Sequence, residues 1–340
     1  MKKFDLNAIG NALVDTEIMV ADSDIDDLGI KKGSMTLIDD TTFNTILSKL
    51  SSLPTHRACG GSAANTLITS SHLGLNCFYN YKVGADNNGQ FYTKDLEKNG
   101  ITGNDISNAD KDQQTGACIV LVTPDAERTM CTYLGVSASL SANDINIAAI
   151  KSSNFLYIEG YLAGSESGLK AGLEAKKIAT ETGIQTALTL SDISMIKFCK
   201  EGLDALIGSE GISLLFCNES EAMSYTQTDN THDAAKKLKS ICKLSAITLG
   251  KNGALITSHN EQIHVDSPKT NAINTNGAGD TFAGAFLSGI QKNQDIHTCG
   301  LWGCTAASYV VSQFGPRLDK KSIEKLELFA KKRNTVHQPL

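Results

Sequence analysis

The 340-residue sequence has no run of about 18 uncharged apolar residues, and its first lysines are followed too soon by polar residues to form a signal peptide. These two absences favour a cytoplasmic protein that does not contact a membrane. Positive charge is also in deficit, with a formal net charge of −6, so nucleic acid is not an expected partner. The cysteines form no C-x-x-C pair and no zinc-like spacing with histidine, which predicts nine reduced, mostly buried thiols.

Internal repeats, low-complexity tracts and Pro/Ser-rich linkers are missing as well. What is present is a composition of 41% hydrophobic and 20% charged residues, which is typical of a globular protein with a substantial core. Together with the length, this predicts one large α/β unit with a smaller appended part.

The second half of the chain alternates short apolar runs with longer amphipathic stretches. Strands are predicted for the runs at 155–160, 185–190, 214–218, 246–250 and 253–258. Helical spacing of apolar residues at 165–183 and 233–242 predicts helices between them. A strand–helix–strand series of this kind predicts a doubly wound, mostly parallel sheet flanked by helices.

The first part of the chain interrupts this series with alternating, strand-like segments at 12–22, 34–40 and 116–134, the last containing the turn sequence TPDAER. We therefore expect a small, discontinuous β lid formed by residues 12–40 and 115–135. The large α/β domain, which would bind nucleotide and substrate, is expected to comprise residues 1–11, 41–114 and 136–340.

A glycine-rich stretch, NTNGAGDTFAGAF, places Asp280 directly after Gly277, Ala278 and Gly279 and before an apolar, helix-like run. If these three residues form a loop that leads into a helix starting near Asp280, several backbone N–H groups converge at its positive end and form an anion hole. Asp280 would then accept a proton from an attacking hydroxyl group. From these residues alone, an ordinary capping aspartate behind a tight turn is the alternative.

Three other stretches bear on this choice, each with a structural alternative. CGGSAANT is a second glycine pair before a small-residue helix, with Asn65 on its first turns, and helix packing alone would explain it. In NESEA, Asn218 and Glu221 face the same side of a helix start, as they also would in a capping box. TLGKNGAL joins two strand-like runs through Gly250 and Gly253, and a hairpin turn is sufficient to explain it.

Taken together and in this order, the four motifs resemble the signatures of the ribokinase-like (PfkB) family of sugar and nucleoside kinases. NTNGAGDTFAGAF is close to the family's D-T-x-G-A-G-D-x-F-x-x-G, CGGSAANT to its Gly-Gly…Asn signature, NESE to its N-x-x-E and TLGKNG to its T-x-G-x-x-G. The resemblance spans essentially the whole chain. It implies an ATP-dependent phosphotransferase with an alcohol group as acceptor, and it implies the α/β core with a β lid that periodicity also predicts.

The family's motif positions suggest roles for individual residues. The resemblance implies that Asp280 is the catalytic base and that the N–H groups of Gly277, Ala278 and Gly279 form the anion hole.

The nucleotide side of the site is implied in the same way. Asn218 and Glu221 would help to place Mg²⁺, its waters and the ATP phosphates, with Glu221 acting through water. Thr248, Gly250 and Gly253 would line the nucleotide cleft.

On the acceptor side, the resemblance implies that Asp15, Gly61 and Asn65 bind ribose-type hydroxyls, since a carboxylate and an amide suit a vicinal diol. Arg128, on the expected lid hairpin, would approach the phosphoryl group, or it is a solvated turn arginine. Tyr161 follows a strand where nucleoside-specific members tend to have an aromatic residue, and core packing is its alternative.

One position departs from the family pattern. Asn274 stands where the signature usually has Asp, and in many relatives that carboxylate helps to hold a monovalent cation, so the expectation of a K⁺ site is weakened.

Asn276 and the FGPRLD segment resemble nucleoside kinases more than ribokinases. The expected activity is therefore phosphorylation of the 5′-hydroxyl of a nucleoside, adenosine first, by a monomer or a homodimer. A kinase for ribose or fructose and a nucleotide-binding regulator without turnover are the alternatives.

Overall fold

The computed structural model describes residues 2–104, 113–125 and 127–334, without the side chains of 332–334. Within these residues the chain forms one sheet of nine strands and a second sheet of five. The strands are β1 (Phe4–Ile9), β2 (Leu13–Met19), β3 (Met35–Leu37), β4 (Thr55–Cys59), β5 (Cys77–Asn80), β6 (Ile101–Gly103), β7 (Thr115–Val122), β8 (Arg128–Gly135), β9 (Ser153–Ile158), β10 (Gln185–Thr189), β11 (Ile212–Asn218), β12 (Cys242–Thr248), β13 (Ala254–Ser258) and β14 (Gln262–Val265). The helices are α1 (Asp22–Leu28), α2 (Asp40–Lys49), α3 (Ser62–His72), α4 (Asn87–Lys98), α5 (Ile147–Lys151), α6 (Glu166–Glu181), α7 (Ile193–Phe198), α8 (Lys200–Ile207), α9 (Glu219–Thr226), α10 (Thr231–Leu238), α11 (Ala278–Gln291), α12 (Ile296–Val310) and α13 (Lys320–Asn334).

The large sheet has the order β14-β13-β12-β11-β10-β9-β1-β5-β6. The strands from β12 to β6 run parallel, and β13 and β14 add an antiparallel edge. The apolar runs from which strands were predicted correspond to β9, β10, β11, β12 and β13. The prediction of a doubly wound, mostly parallel sheet is confirmed.

Strand β9 shows why the apolar runs are continuous. Phe155 and Tyr157 pack into the hydrophobic core on one face of the sheet, and Leu156 and Ile158 pack into the core on the other face. Successive side chains point to opposite faces of a strand, so a strand covered by helices on both faces is apolar at every position. The two cores are the physical basis of the doubly wound arrangement.

The small sheet has the order β3-β8-β7-β2-β4, and β7 and β8 form the antiparallel hairpin expected around TPDAER. The small sheet also contains β4, which lies in the stretch 41–114 that was expected in the large domain. Strand β4 pairs with β2, and Phe43 and Ile46 of α2 pack against Ile18 and Leu121 of the small sheet. The sequence did not reveal β4 because it is an edge strand whose first residues are exposed and polar, which leaves no apolar alternation to detect.

Alternation along β8 turns one face of the small sheet toward a cavity. Arg128, Met130, Thr132 and Leu134 line that cavity, while Cys131 between them is buried in the core of the small sheet. Because side chains alternate between the two faces of a strand, every second residue of β8 faces the cavity and Cys131 between them faces the core. None of the described helices has the length and apolar character needed to cross a membrane.

Candidate active site

The cavity lies where the parallel strands of the large sheet end. Its volume is about 400 Å³, and it is lined by residues at or just after the carboxyl ends of β9, β10, β11 and β12, namely Glu159, Thr189, Asn218 and Thr248. Ligands of open α/β sheets bind at this edge of the sheet. The small sheet forms the opposite wall, so both sheets contribute to one site.

Asp280 lies in the first turn of α11 and lines the cavity. The hydroxyl of Ser62 donates to its Oδ1 at 2.6 Å, and Nδ2 of Asn65 donates to its Oδ2 at 3.0 Å. The N-cap of α11 is Gly277, which has no side chain to act as a cap. The carboxylate of Asp280 is thus held by α3 and faces the cavity, which does not match the capping alternative.

Burial raises the pKa of Asp280, and the hydrogen bonds from Ser62 and Asn65 oppose that rise. A carboxylate whose pKa lies above the ordinary value is a better proton acceptor at neutral pH, provided that it is still ionised. The environment of Asp280 therefore suits a general base.

The glycine-rich loop before Asp280 reaches the cavity with Gly277, Ala278 and Gly279. Helix α11 begins at Ala278, two positions before Asp280, and Gly277 has a φ of 73°, in the left-handed region that glycine adopts readily. The N–H of Ala278 donates to Thr275 O at 3.3 Å, a long bond within the turn. The loop therefore presents the positive end of α11 to the cavity, as an anion hole requires.

The predicted acceptor residues Asp15, Gly61 and Asn65 all line the cavity. Asp15 lies on β2, and burial raises its pKa to about 7, with the nearby Glu17 carboxylate adding to the effect. A Cβ atom on Gly60 would lie only 2.1 Å from Oδ1 of Asp15, so the first glycine of the pair allows the carboxylate to approach the loop.

Asn218 and Glu221 form the reciprocal capping box that was the structural alternative, and they also line the cavity. Asn218 Oδ1 accepts from the N–H of Glu221 at 2.9 Å, and Glu221 Oε2 accepts from the N–H of Asn218 at 3.0 Å. Burial raises the pKa of Glu221 to about 7. The capping box fixes the orientation of a carboxylate that faces the cavity, so the two interpretations are compatible.

Thr248 and Gly250 line the cavity, but Gly253 does not. Gly253 directly precedes the return strand β13 of the β12–β13 hairpin and has a φ of 90°, and a Cβ atom there would lie 1.9 Å from Val265 O. Its place in the nucleotide cleft stays a prediction. Glycine is needed there because the backbone of β14 passes too close for a side chain.

Arg128 and Tyr161 both line the cavity. Arg128 is not a solvated turn residue, because its Nη1 donates to Oδ1 of Asn276 in the glycine-rich stretch at 2.8 Å. The hydroxyl of Tyr161 donates to Ser191 O at 3.4 Å, and its ring also packs against a core of the large sheet. Tyr161 thus both lines the cavity and packs against the core, the two locations considered for it from the sequence.

Asn274 is fully buried, and its side chain binds a carboxylate from the small sheet. Its Nδ2 donates to Oε1 of Glu17 on β2 at 3.2 Å, and the side chain of Asn276 donates to the same oxygen at 3.0 Å. The carboxylate in this region therefore comes from the small sheet and is already paired with two amides. The weakened expectation of a K⁺ site stays a prediction.

Sequence reasoning missed three polar residues of this region. Ser62 holds Asp280, and Glu159 lines the cavity while accepting from the N–H groups of Ala63 at 2.9 Å and Asn11 at 3.3 Å. Burial raises the pKa of Glu159 to about 8. Glu159 could have been found because it directly follows a parallel strand, whereas Arg317, which contacts Asn65, has only its place in FGPRLD as a signal.

Comparisons with known proteins agree with this geometry. Residues 47–323 match the model of the pfkB family of carbohydrate kinases. A probable sugar kinase from Rhizobium etli CFN 42 is 32% identical and superposes with a TM-score of 0.91 over 97% of this chain and 99% of its own. The adenosine kinase from Sinorhizobium meliloti gives the same values. The ribokinase of Staphylococcus aureus is 28% identical over 276 residues, which cover 78% of this chain and 86% of the ribokinase.

The fold and the position of the cavity define a ribokinase-like protein. The chain belongs to the pfkB family of carbohydrate kinases, whose members are ATP-dependent phosphotransferases that act on hydroxyl groups of sugars or nucleosides. It is therefore a kinase with an alcohol group as acceptor, and the acceptor belongs to a sugar or a nucleoside.

Proposed function

We propose that the enzyme transfers the γ-phosphoryl group of ATP to the 5′-hydroxyl of a ribonucleoside, with adenosine as the preferred acceptor. The observation that carries the proposal is the apolar wall of the cavity, by which we mean the small-sheet residues Leu13, Met35, Leu37, Met130 and Leu134. One of them, Leu37, remains 52% exposed although it is a large apolar side chain. A flat purine base would cover such a wall, whereas a free sugar is smaller and carries hydroxyl groups around its ring, so it would leave much of the wall in water.

The polar residues that line the cavity, among them Asp15, Asn65 and Asp280, complement a ribose. Asp15 and Asn65 would bind the vicinal hydroxyls, and the 5′-hydroxyl would lie between Asp280 and the N–H groups of the glycine-rich loop. In the transfer, the acceptor oxygen bonds to the γ-phosphorus as the bond to the β-phosphate oxygen breaks, ADP leaves, and the hydroxyl proton passes to Asp280. The loop N–H groups and the Arg128 guanidinium would stabilise the charge that develops on the transferred group.

The donor side of the cavity fits ATP with a water-bridged Mg²⁺. Among the residues that the structure describes, no three His, Cys, Asp or Glu side chains are grouped so as to hold a metal ion. Mg²⁺ often keeps several waters and needs only one or two carboxylates besides the substrate phosphates, and Glu221, held by Asn218, offers one. When bound, Mg²⁺ would neutralise charge on the phosphates. Thr248 and Gly250 would line the nucleotide cleft.

The substrate proposal is tested by an ATP-consumption screen across nucleosides, pentoses and hexoses. Adenosine or another purine nucleoside is expected to give the highest kcat/KM, because only a nucleoside covers the apolar wall. Ribose or fructose exceeding every nucleoside tenfold would reject the proposal in favour of a sugar kinase, the activity that the likeness to the S. aureus ribokinase supports.

A variant of the apolar wall sharpens the same screen. Leu134→Ser should raise the KM for adenosine by about tenfold or more, since losing apolar contact in a pocket is worth about 1–3 kcal/mol, and it should leave the KM for ATP unchanged. Ile147→Ser is the matched control, because Ile147 is 48% exposed and does not line the cavity. Equal effects of the two variants would mean that the apolar wall does not bind the acceptor.

A further inference from the structure

The loop between α12 and α13 supports the active site from outside the cavity. Val311 O accepts from the N–H of Ile273 at 2.7 Å, just before the glycine-rich stretch. Farther along the loop, the side chain of Arg317 donates from Nε to Oδ1 of Asn65 at 2.9 Å. This loop therefore contacts both the segment that carries Asp280 and the helix that holds its carboxylate.

Arg317 joins two helices through one guanidinium group. Its Nη1 forms an ion pair with Asp95 on α4, while its Nε binds Asn65 on α3. The side chain is 14% exposed, and Arg317 does not line the cavity. A residue in this position acts on ligands only through its neighbours.

The contact with Arg317 decides which way the amide of Asn65 points. A guanidinium group only donates hydrogen bonds, so the amide oxygen of Asn65 faces Arg317. The amide nitrogen of Asn65 then faces Oδ2 of Asp280, to which it donates at 3.0 Å. Because Arg317 is always protonated, this orientation does not depend on whether Asp280 carries a proton.

We propose that Arg317 is a positioning residue of the phosphoryl-transfer site, which fixes the amide of Asn65 so that it orients the carboxylate of Asp280. The proposal rests on the proposed role of Asp280 as the base, and it holds whether the acceptor is a nucleoside or a sugar. Asp95 anchors the guanidinium group from the opposite side.

The charge of Arg317 gives a second, separable effect, since it lowers the pKa of Asp280 against the rise caused by burial. Removing the charge should therefore raise the pKa of the base and move the acid limb of the kcat/KM profile to higher pH. The other titratable or charged groups that face Asp280 are Asp15 on β2, Arg128 on β8, Tyr157 on β9, Glu159 and Tyr161 after β9, and Glu221 on α9.

The test compares Arg317→Gln and Arg317→Lys with the wild type, using adenosine as acceptor, or ribose if adenosine is not phosphorylated. Arg317→Gln should lower kcat by about tenfold to a hundredfold, as a misplacement of about 1 Å at a reacting group can cost about 10²-fold, with the KM for ATP unchanged. Arg317→Lys keeps the positive charge but lacks the planar guanidinium group that binds Asn65 and Asp95 at the same time. Its kcat should therefore fall while the acid limb stays at the wild-type pH. If Arg317→Gln does not fold, the lysine variant carries the test.

Ser71→Ala is the matched control. Ser71 also ties α3 to α4, by donating to Asn99 O at 2.8 Å, but it lies two turns from Asn65. This variant should keep the wild-type kcat and pH profile. The same loss of kcat in Ser71→Ala as in the Arg317 variants would show that Arg317 only connects the helices, and would overturn the proposal.

A double-variant measurement separates action through Asn65 from any other route. In an Asn65→Ala background, and at a pH above the acid limb of both variants, Arg317→Gln should lower kcat by less than about twofold more, because the amide that it positions is gone. A full further loss, or a single Arg317→Gln variant with the wild-type kcat and acid limb, contradicts the proposal. A wild-type enzyme that phosphorylates ribose and not adenosine contradicts the proposed substrate alone.

Discussion

Asp280→Asn is expected to lower kcat by about 10²–10⁴, or roughly 3–5 kcal/mol of transition-state stabilisation, while the affinity for ATP and the melting temperature remain those of the wild type. Asparagine has nearly the same size and can satisfy the same neighbours. Its oxygen can accept from Asn65, and its amide nitrogen can donate to the hydroxyl of Ser62, which accepts as readily as it donates. The amide cannot take a proton from the acceptor hydroxyl.

The control for this variant is Asp295→Asn. Asp295 caps α12 by accepting from the N–H of Thr298 at 2.9 Å, and it does not line the cavity. Asparagine is about as good a cap as aspartate, so this variant should keep both stability and turnover. If Asp280→Asn behaved in the same way, with kcat within about threefold of the wild type, Asp280 would not be the base.

Gly277→Ala should damage both folding and catalysis. The left-handed φ of 73° costs a residue with a side chain about 1–2 kcal/mol, and a Cβ atom would lie 2.1 Å from Pro316 O, so the loop must move. Loss of one donor from an anion hole typically lowers kcat by a factor of about 10²–10³, and a displaced loop misplaces more than one donor. We therefore expect a kcat lowered by at least about 10² and a melting temperature several degrees lower, measured by steady-state kinetics and calorimetry.

Gly279→Ala separates backbone strain from the mere addition of a methyl group to this loop. A Cβ atom on Gly279 meets no other atom within 4 Å, and its φ is not in the left-handed region. This variant should melt at the wild-type temperature. A wild-type melting temperature and kcat for Gly277→Ala would contradict the proposed anion hole, since the loop would then tolerate a displacement at its centre.

The glycine-rich turn before Asp280 could be predicted from the sequence because its requirements are local. Gly277, Ala278, Gly279 and Asp280 are consecutive, and both the turn and the helix start that they form depend on neighbouring residues. The parallel sheet could be predicted for a similar reason, as continuous apolar runs such as β9 and β11 reflect burial on both faces of each strand. The membership of β4 in the small sheet could not, because its polar edge residues have no period.

The sequence by itself therefore determined the doubly wound fold, the β7–β8 hairpin and the tight turn before Asp280, all of which follow from local periodicity and turn chemistry. The role of that turn was implied by the resemblance of its motif to a known family. Only the tertiary structure decided which side chains meet that carboxylate. Ser62 and Asp280 are 218 positions apart, and Arg317 and Asn65 are 252 apart, so their contacts depend on the order of the strands and the packing of α3, α4 and α11. Gly253 illustrates the same limit, because its motif suggested a contact with nucleotide, and only the tertiary structure shows that the backbone of β14, a strand farther along the chain, leaves no room for a side chain there.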